Sequence, residues 1–274
     1  MFRGQKLPFN ERFQASSIFH YGRLPLLTNE AYKNRAFLHK RPLSALHPKL
    51  MSRSDVYRYF ENQFRFKSRH FLWQHNSYFK QCARGFGEPA FHAAWQQVFE
   101  DFKPKKCLEI GVYRGQTISL WSLLSKKLGF ECSVYGITPL TAMGDSVSQY
   151  LEIDFAADIQ LNFDKFKLGG ANILNRSSTS KEASEFISSG NWNLVYIDGS
   201  HDYQDVLSDY RNSISGLAPN GIVVLDDSSL FLDQIKDYKA FQGHPGPSNI
   251  CMKYALNELE HFLSVGHLNF FRRN

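Results

Sequence analysis

The chain has 274 residues, including 24 Phe and 13 Tyr, and a formal net charge of +6; it is long enough for a sizeable core and too aromatic for general disorder. No run of about 18 apolar residues occurs, and the polar, basic start Met1-Phe-Arg-Gly-Gln-Lys lacks a signal-peptide core, so a soluble cytoplasmic protein is expected. Cys82, Cys107, Cys132 and Cys251 show no CxxC spacing, which fits reduced structural thiols rather than a disulfide frame or a zinc site.

The charge is unevenly placed. Residues 1–85 carry 16 Lys and Arg against 4 Asp and Glu, and residues 86–274 carry 16 against 22. This predicts a basic, largely helical extension over 1–85 and a main domain over 86–274. Such an extension can meet nucleic acid, an anionic surface or an acidic partner. Its charges are dispersed among aromatics, which favours a helical cover on the main domain.

Residues 1–50 hold Pro8, Pro25, Pro42 and Pro48 and no sustained period, so mostly irregular structure is expected, with a short helix near 29–38. Ser54 is the expected cap of a helix with Val56, Tyr59, Phe60, Phe64 and Phe66 on its apolar face, and Phe71 to Phe79 predict another. Aromatic stripes of this kind are packing surfaces, against the main domain or a second subunit of a homo-oligomer. Interleaved basic and aromatic residues also resemble a single-stranded nucleic-acid platform, but no RNA-binding motif accompanies them. After Arg84-Gly-Phe-Gly-Glu, Pro89 suits the first turn of a helix reaching Phe102.

Lys106 to Ile110 reads as the first strand. It opens a loop with Gly111 and Gly115, spaced GxxxG, before a helix from about Gln116 to Leu128. Glycines permit close backbone approach and the helix start offers free N–H groups. This spacing departs from the dinucleotide fingerprint GxGxxG, and with Glu109 two residues before Gly111 it suits a nucleoside carrying a charged amino-acid tail. The second strand, Cys132 to Ile137, ends in Thr138-Pro139. An acidic, aromatic region follows around Asp154 to Phe166, then a third strand at Ala171 to Leu174 and a helix from Lys181 to Ser188.

The densest stretch is Asn193 to Asp227. Leu194 to Ile197 and Ile222 to Leu225 read as buried strands joined by a helix carrying Val206, Leu207, Tyr210, Ile214 and Leu217. A strand, helix, strand unit makes the strands parallel and the crossover right-handed. Asp198 and the pair Asp226-Asp227 then emerge at one carboxyl edge, where open α/β sheets place ligands. Carboxylates gathered there repel one another, and a hard divalent cation relieves that repulsion. His201 stands three residues beyond Asp198, with an ordinary pKa suited to taking a proton. Single strand-end Asp residues commonly cap turns, so the set of four carries the reading.

Downstream, Phe241 to Ser248 is too rich in Gly and Pro for regular structure. His244 within it is a candidate acceptor contact, against the competing reading of a solvated loop His. Asn249 to Phe262 predicts a helix and Gly266 to Phe271 a last strand at the sheet edge, with His261 and His267 expected to be structural.

The stretch CLEIGVYRG resembles the E-x-G-x-x-x-G first motif of class I S-adenosylmethionine-dependent methyltransferases. The segments IDGSHDY and LDD resemble those of metal-dependent small-molecule O-methyltransferases, especially the group acting on sugar hydroxyls of macrolides and other glycosides. The resemblance covers residues 86–274. It implies a Rossmann-like, doubly wound, mostly parallel α/β sheet and S-adenosylmethionine contacts from Glu109, Gly111 and Gly115. It further implies Mg²⁺ or another divalent cation on Asp198, Asp226 and Asp227, with His201 as base. Many relatives hold the cofactor ribose with an acid at the end of the second strand. Here Thr138-Pro139 stands instead, and Asp145 is the candidate replacement, set against a plain solvated loop Asp. Ser177 and Ser178 are candidate adenine contacts, or one of them is only a helix cap. The expected acceptor is a sugar or glycosylated small molecule, with catechol-type phenols as the alternative. A nucleic-acid-binding protein is the reading from another class, and the missing NPPY-type site weighs against base N-methylation.

Overall fold

The computed structural model describes residues 39–81, 84–232 and 241–273, and Lys40–Asn274 form one compact unit. The helix expected near 29–38, and Cys82, lie outside the described residues. Three helices precede the sheet: α1 Arg53–Lys67, α2 His70–Lys80 and α3 Pro89–Phe102. The sheet and its crossovers follow as β1 Lys106–Ile110, α4 Gln116–Leu128, β2 Ser133–Thr138, α5 Phe155–Lys165, β3 Asn172–Asn175 and α6 Lys181–Ser188. The second half comprises β4 Trp192–Ile197, α7 Tyr203–Ser215, β5 Leu217–Leu225, α8 Pro245–Ile250, β6 Glu260–Val265 and β7 Leu268–Arg272.

The seven strands lie in the order β3-β2-β1-β4-β5-β7-β6. Strands β1 to β5 pair in parallel, and β7 runs antiparallel to both β5 and β6. The order reverses between β1 and β4, so the topological switch point falls where Gly111 and Asp198 leave the sheet. On one face Leu108, Ile110, Val195, Ile197, Val223 and Leu225 pack with Trp192, Val206 and Tyr210 into a buried core. On the other, Trp95 of α3 meets Trp121 of α4, Tyr196 of β4 and Phe270 of β7 at ring separations of 5.1–5.3 Å. The central strands are therefore covered on both faces, which is why they read as continuous apolar runs.

Residues 40–85, expected as part of the extension, lie in the same compact unit as the sheet. Helix α1 turns the buried side chains Val56, Tyr59, Phe60 and Phe64 inward, with Phe64 6.1 Å from His92 of α3 and Tyr57 6.3 Å from Phe91. Its cap is Ser52, whose hydroxyl accepts from the Asp55 N–H, rather than Ser54. Phe66, expected on the apolar face, is exposed.

Three other elements differ from expectation. The region around Asp154 to Phe166 contains α5, capped by the Asp154 carboxylate accepting from Ala157 N–H; Phe155, Ile159 and Phe163 are its buried side. Pro245–Ile250 is helical despite its composition, because Pro245 occupies the first turn, where no N–H is needed. The helix expected to reach Phe262 stops at Leu259: after a π-turn at Cys251–Ala255 and a last turn at Leu256–Glu258, the chain becomes β6. Gly266, at φ 60°, then permits the tight turn into β7. The last strand is thus inserted between β5 and β6, and β6 is the edge.

Candidate active site

The carboxyl ends of β1, β4 and β5 meet at the switch point through successive backbone bonds. Asp198 N–H donates to Ile110 O at 2.8 Å, and Asp226 N–H donates to Ile197 O at 3.0 Å. Gly111, at φ 98°, lies so close to this edge that a Cβ would collide with the Asp198 carbonyl and Gly199. Gly115, at φ 79°, is the cap residue of α4 and turns the loop into the helix. Both loop glycines are therefore required by the backbone path. Glu109 is buried beneath the start of α4. Burial pushes its carboxyl up to about 8, against hydrogen bonds from Thr117 and Ile118 N–H and with the charge of Asp226 adding to the rise; its Oε2 has no hydrogen-bond partner.

The acids form a stack. Burial and then the charge of Asp226 raise the Asp198 carboxyl well above the usual range, and the two carboxyls are hydrogen-bonded to one another. Burial and the charge of Asp227 raise Asp226 as well. Tyr196 OH donates to Asp226 Oδ2 at 2.7 Å. Asp227 takes φ 48°, a left-handed conformation uncommon for a residue with a side chain. The loop from Gly243 explains how it is held: a Cβ on Gly243 would collide with the Asp227 backbone, and His244 N–H donates to Asp227 O at 2.8 Å. A cavity of about 10 Å³ between Asp198, His201, Asp226, Asp227 and Pro247 is of the order that admits one water-sized guest. A cavity of about 330 Å³ lies instead at the amino edge of β2 and β3, lined by Ser122, Lys126, Cys132, Ser133 and Asn172, away from this chemistry.

His201 is held from both sides. Nδ1 lies 2.7 Å from Asp145 Oδ2, which also accepts from the His201 backbone N–H at 2.7 Å, and Nε2 lies 2.9 Å from Asp227 Oδ2. Burial works against the charged imidazole, but the hydrogen bonds and charges of Asp227 and Asp145 outweigh it and raise His201 to about 9. Asp145 in turn is drawn down to about 2: burial opposes this, while backbone N–H groups of Val147, His201 and Ser148 donate to it. Its Oδ1 accepts from its own loop, at the Val147 and Ser148 N–H groups, and its Oδ2 faces His201. The His244 ring packs on His201 at 4.3 Å between centroids, and its Nε2 is 3.8 Å from Asp227 Oδ2. Burial, then the charge of His201, lower His244.

Two candidates stand apart. Ser178 Oγ donates to the buried Asp209 at 3.1 Å, and Ser177 Oγ lies 2.9 Å from Thr179 Oγ1. Neither caps α6; Ser180 does, accepting from Ala183 N–H at 3.2 Å. The residue that sequence reasoning missed is His267. Its Nε2 lies 3.4 Å from Asp226 Oδ1 and 3.6 Å from Asp227 Oδ1. A Gly-His pair between two alternating apolar runs was the available signal, but it only becomes informative once the hairpin is known to sit beside β5.

Ionised together the carboxylates repel one another, and a cationic partner would favour the ionised form of the buried Glu109. The donor chemistry thus fits a divalent metal at Asp226-Asp227 and a cationic ligand at the glycine loop.

Residues 108–228 match a family model described as a methyltransferase domain. Solved structures share the fold. A putative caffeoyl-CoA O-methyltransferase from Staphylococcus aureus superposes with a TM-score of 0.55 at 11% identity, covering 79% of this chain and 98% of that one. An O-methyltransferase from Bacillus cereus, in complex with S-adenosylhomocysteine, gives 0.50 at 12%, covering 80% and 97%. TomG from Streptomyces achromogenes, an O-methyltransferase involved in tomaymycin synthesis and bound to S-adenosylmethionine, gives 0.50 at 13%, covering 80% and 96%. No curated protein matches the sequence. The matched domain, the strand order and the glycine loop at the switch point agree: the chain has the class I methyltransferase fold, and residues 108–228 match a methyltransferase domain within it.

Proposed function

We propose that this chain transfers the methyl group of S-adenosylmethionine to a hydroxyl oxygen of a sugar or glycosylated small molecule, assisted by a divalent cation. The observation that carries this reading is the joint position of Asp198, Asp226, Asp227 and His201 beside the Gly111 loop. Methyl transfer is an in-line displacement: the acceptor oxygen forms a bond to the methyl carbon as the carbon–sulfur bond breaks, and the sulfide leaves with the electron pair. Holding both partners in line supplies much of the rate. An aliphatic hydroxyl is a poor nucleophile at neutral pH. A divalent cation, when bound by the acids, lowers the pKa of an acceptor hydroxyl and orients a vicinal pair of oxygens.

The residues present divide the remaining work. Gly111 and Gly115 let the backbone approach the cofactor, and Glu109 offers the buried carboxyl that a cationic tail would ionise. His201 Nε2 receives the hydroxyl proton, and Asp145 fixes the imidazole from Nδ1. With both carboxylates charged, His201 keeps its proton up to about 9. Acting as base requires His201 to have lost that proton, so turnover by this route should rise with pH up to about 9.

The test is an acceptor panel of glycosides, catechols and RNA with isotope-labelled S-adenosylmethionine, with and without EDTA. Labelled glycosides, and loss of label on chelation, are the expected result. Turnover undiminished by EDTA would remove the metal, exclusive labelling of catechols would reassign the acceptor, and labelling of RNA alone would overturn the small-molecule reading.

A further inference from the structure

Strand β7 brings a histidine to the acid pair from a part of the chain 40 residues beyond it. His267 Nε2 is 3.4 Å from Asp226 Oδ1 and 3.6 Å from Asp227 Oδ1, and the three donor atoms lie within 4.8 Å of one another. The two histidine separations exceed the range of about 2.7–3.2 Å for N–H···O hydrogen bonds. They match instead the spacing of donors around one ion: ligands at about 2.1 Å lie roughly 3.0 Å apart on an octahedral edge and roughly 3.4 Å apart on a tetrahedral one. His201 contrasts with this, since its 2.9 Å approach to Asp227 is a hydrogen bond.

The turn that presents His267 is built in. Ser228 N–H donates to His267 O at 3.1 Å and Ser229 Oγ to Gly266 O at 3.1 Å. Asn269 Nδ2 holds both serine hydroxyls, at 2.8 and 2.9 Å, while Ser264 Oγ donates to Asn269 Oδ1 at 2.7 Å. All four side chains are buried. The residues that follow Asp226-Asp227 are thereby locked to the residues that flank His267, so the imidazole and the carboxylates keep a fixed spacing. Phe91 and Phe241 wall the ring at 4.9 and 5.2 Å, which limits its rotation.

We propose that Asp226, Asp227 and His267 form a mixed oxygen and nitrogen metal site that prefers a first-row transition ion of the Co²⁺, Fe²⁺ or Zn²⁺ kind over Mg²⁺. The chemical reason is ligand type: carboxylate oxygens alone suit Mg²⁺, whereas an imidazole nitrogen raises affinity for the later, softer ions. The proposal rests on the cation-assisted reading above, and its test is independent of turnover.

The experiment is titration of the metal-free full-length protein with Co²⁺, Zn²⁺ and Mg²⁺, followed by the visible Co²⁺ spectrum and by competition, with calorimetry of S-adenosylhomocysteine on the same samples. Co²⁺ and Zn²⁺ should bind at least about 100-fold more tightly than Mg²⁺. His267→Ala and His267→Gln should each weaken Co²⁺ by about 10–100-fold or more, the scale of losses at metal-supporting residues, and so narrow its lead over Mg²⁺, while S-adenosylhomocysteine affinity stays nearly unchanged. Equal affinity for Mg²⁺ and Co²⁺ in the unaltered protein overturns the proposal, as does unchanged Co²⁺ affinity in both variants. The metal preference of the unaltered protein needs no variant to fold. Failure to methylate any hydroxyl, with the Co²⁺ result as expected, would count against the proposed reaction and not against the site.

Discussion

At the scale of single residues, the site is a set of charges that restrain one another. Asp145 and Asp227 grip the two nitrogens of His201, so the imidazole has one orientation and one open task. His201→Ala should lower kcat by about 10²–10⁴-fold, the usual contribution of a positioned base, with S-adenosylhomocysteine affinity retained by calorimetry; near-full turnover across pH would assign the proton to another group. Asp145→Asn removes one of the two carboxylates that raise His201, so the imidazole loses its proton at lower pH. The acidic limb of the pH–rate profile should move to lower pH while the maximal rate falls, and a fall in rate without that movement would mean that Asp145 only supports the loop. Gly111→Ala should abolish cofactor binding, because the new methyl group meets the Asp198 backbone, which no side-chain rotation can relieve.

At the scale of elements, helices α2 and α3 and the start of α4 share a buried polar chain. His75 Nδ1 lies 3.1 Å from His92 Nε2, and His75 Nε2 lies 3.0 Å from Ser119 Oγ. Burial drives His92 down to about 4 and His75 well below its ordinary value, with His92 adding to the fall at His75. A histidine that is neutral in the fold and takes a proton when unfolded contributes stability that is complete above its unfolded value near 6.5. Between that value and about 4 the unfolded chain binds more protons, so stability falls as pH falls. Denaturant unfolding from pH 7 to pH 4.5 should show this loss, on the order of 2–3 kcal/mol from His92 alone. His92→Gln should flatten the slope. A slope that the substitution leaves unchanged would place the acid sensitivity elsewhere.

At the scale of the whole molecule, the helical cover is tied to the carboxyl edge of the sheet. Arg53, at the start of α1, donates to the carbonyls of Ser229 and Leu232, each at 3.2 Å, directly beyond the acid pair. A chain starting at Lys40 should fold cooperatively, since Lys40–Asn274 form a compact unit. A chain starting at residue 86 should fail to fold. It uncovers the partners of Val56, Tyr59, Phe60, Phe64, Leu72 and Phe79, all nearly inaccessible, each worth roughly 1.5–3 kcal/mol against a total margin of about 5–15 kcal/mol. Thermal unfolding of the two truncations decides the matter, and a stable second fragment would restore a boundary near residue 85. Among the described residues no helix is long and apolar enough to cross a membrane.

Much of this architecture is local in origin and was therefore legible in the chain. Strands β1, β4 and β5 are buried on both faces, which writes itself as apolar runs such as LVYI and IVVL; the acids that follow then had to emerge at one edge, because parallel crossovers have one hand. The glycine loop was legible for a similar reason, since its backbone conformation is a property of its own residues. Helix α5 was hidden by its charged, aromatic composition, and β6 by a run that suits helix or strand equally well until the turn at Gly266 is placed.

What the tertiary structure alone decided is partnership across long separations. Asp145 is 56 residues from His201 and reads as a loop acid until the backbone folds over it. His267 reads as an unpartnered turn residue until β7 is inserted antiparallel beside β5. The sequence determined which residues stand at the ends of the parallel strands, because strand periodicity and crossover handedness are short-range rules. It left open which imidazoles and carboxylates face them, because that depends on where an antiparallel hairpin docks, and docking is set by surfaces that only exist once the sheet has formed.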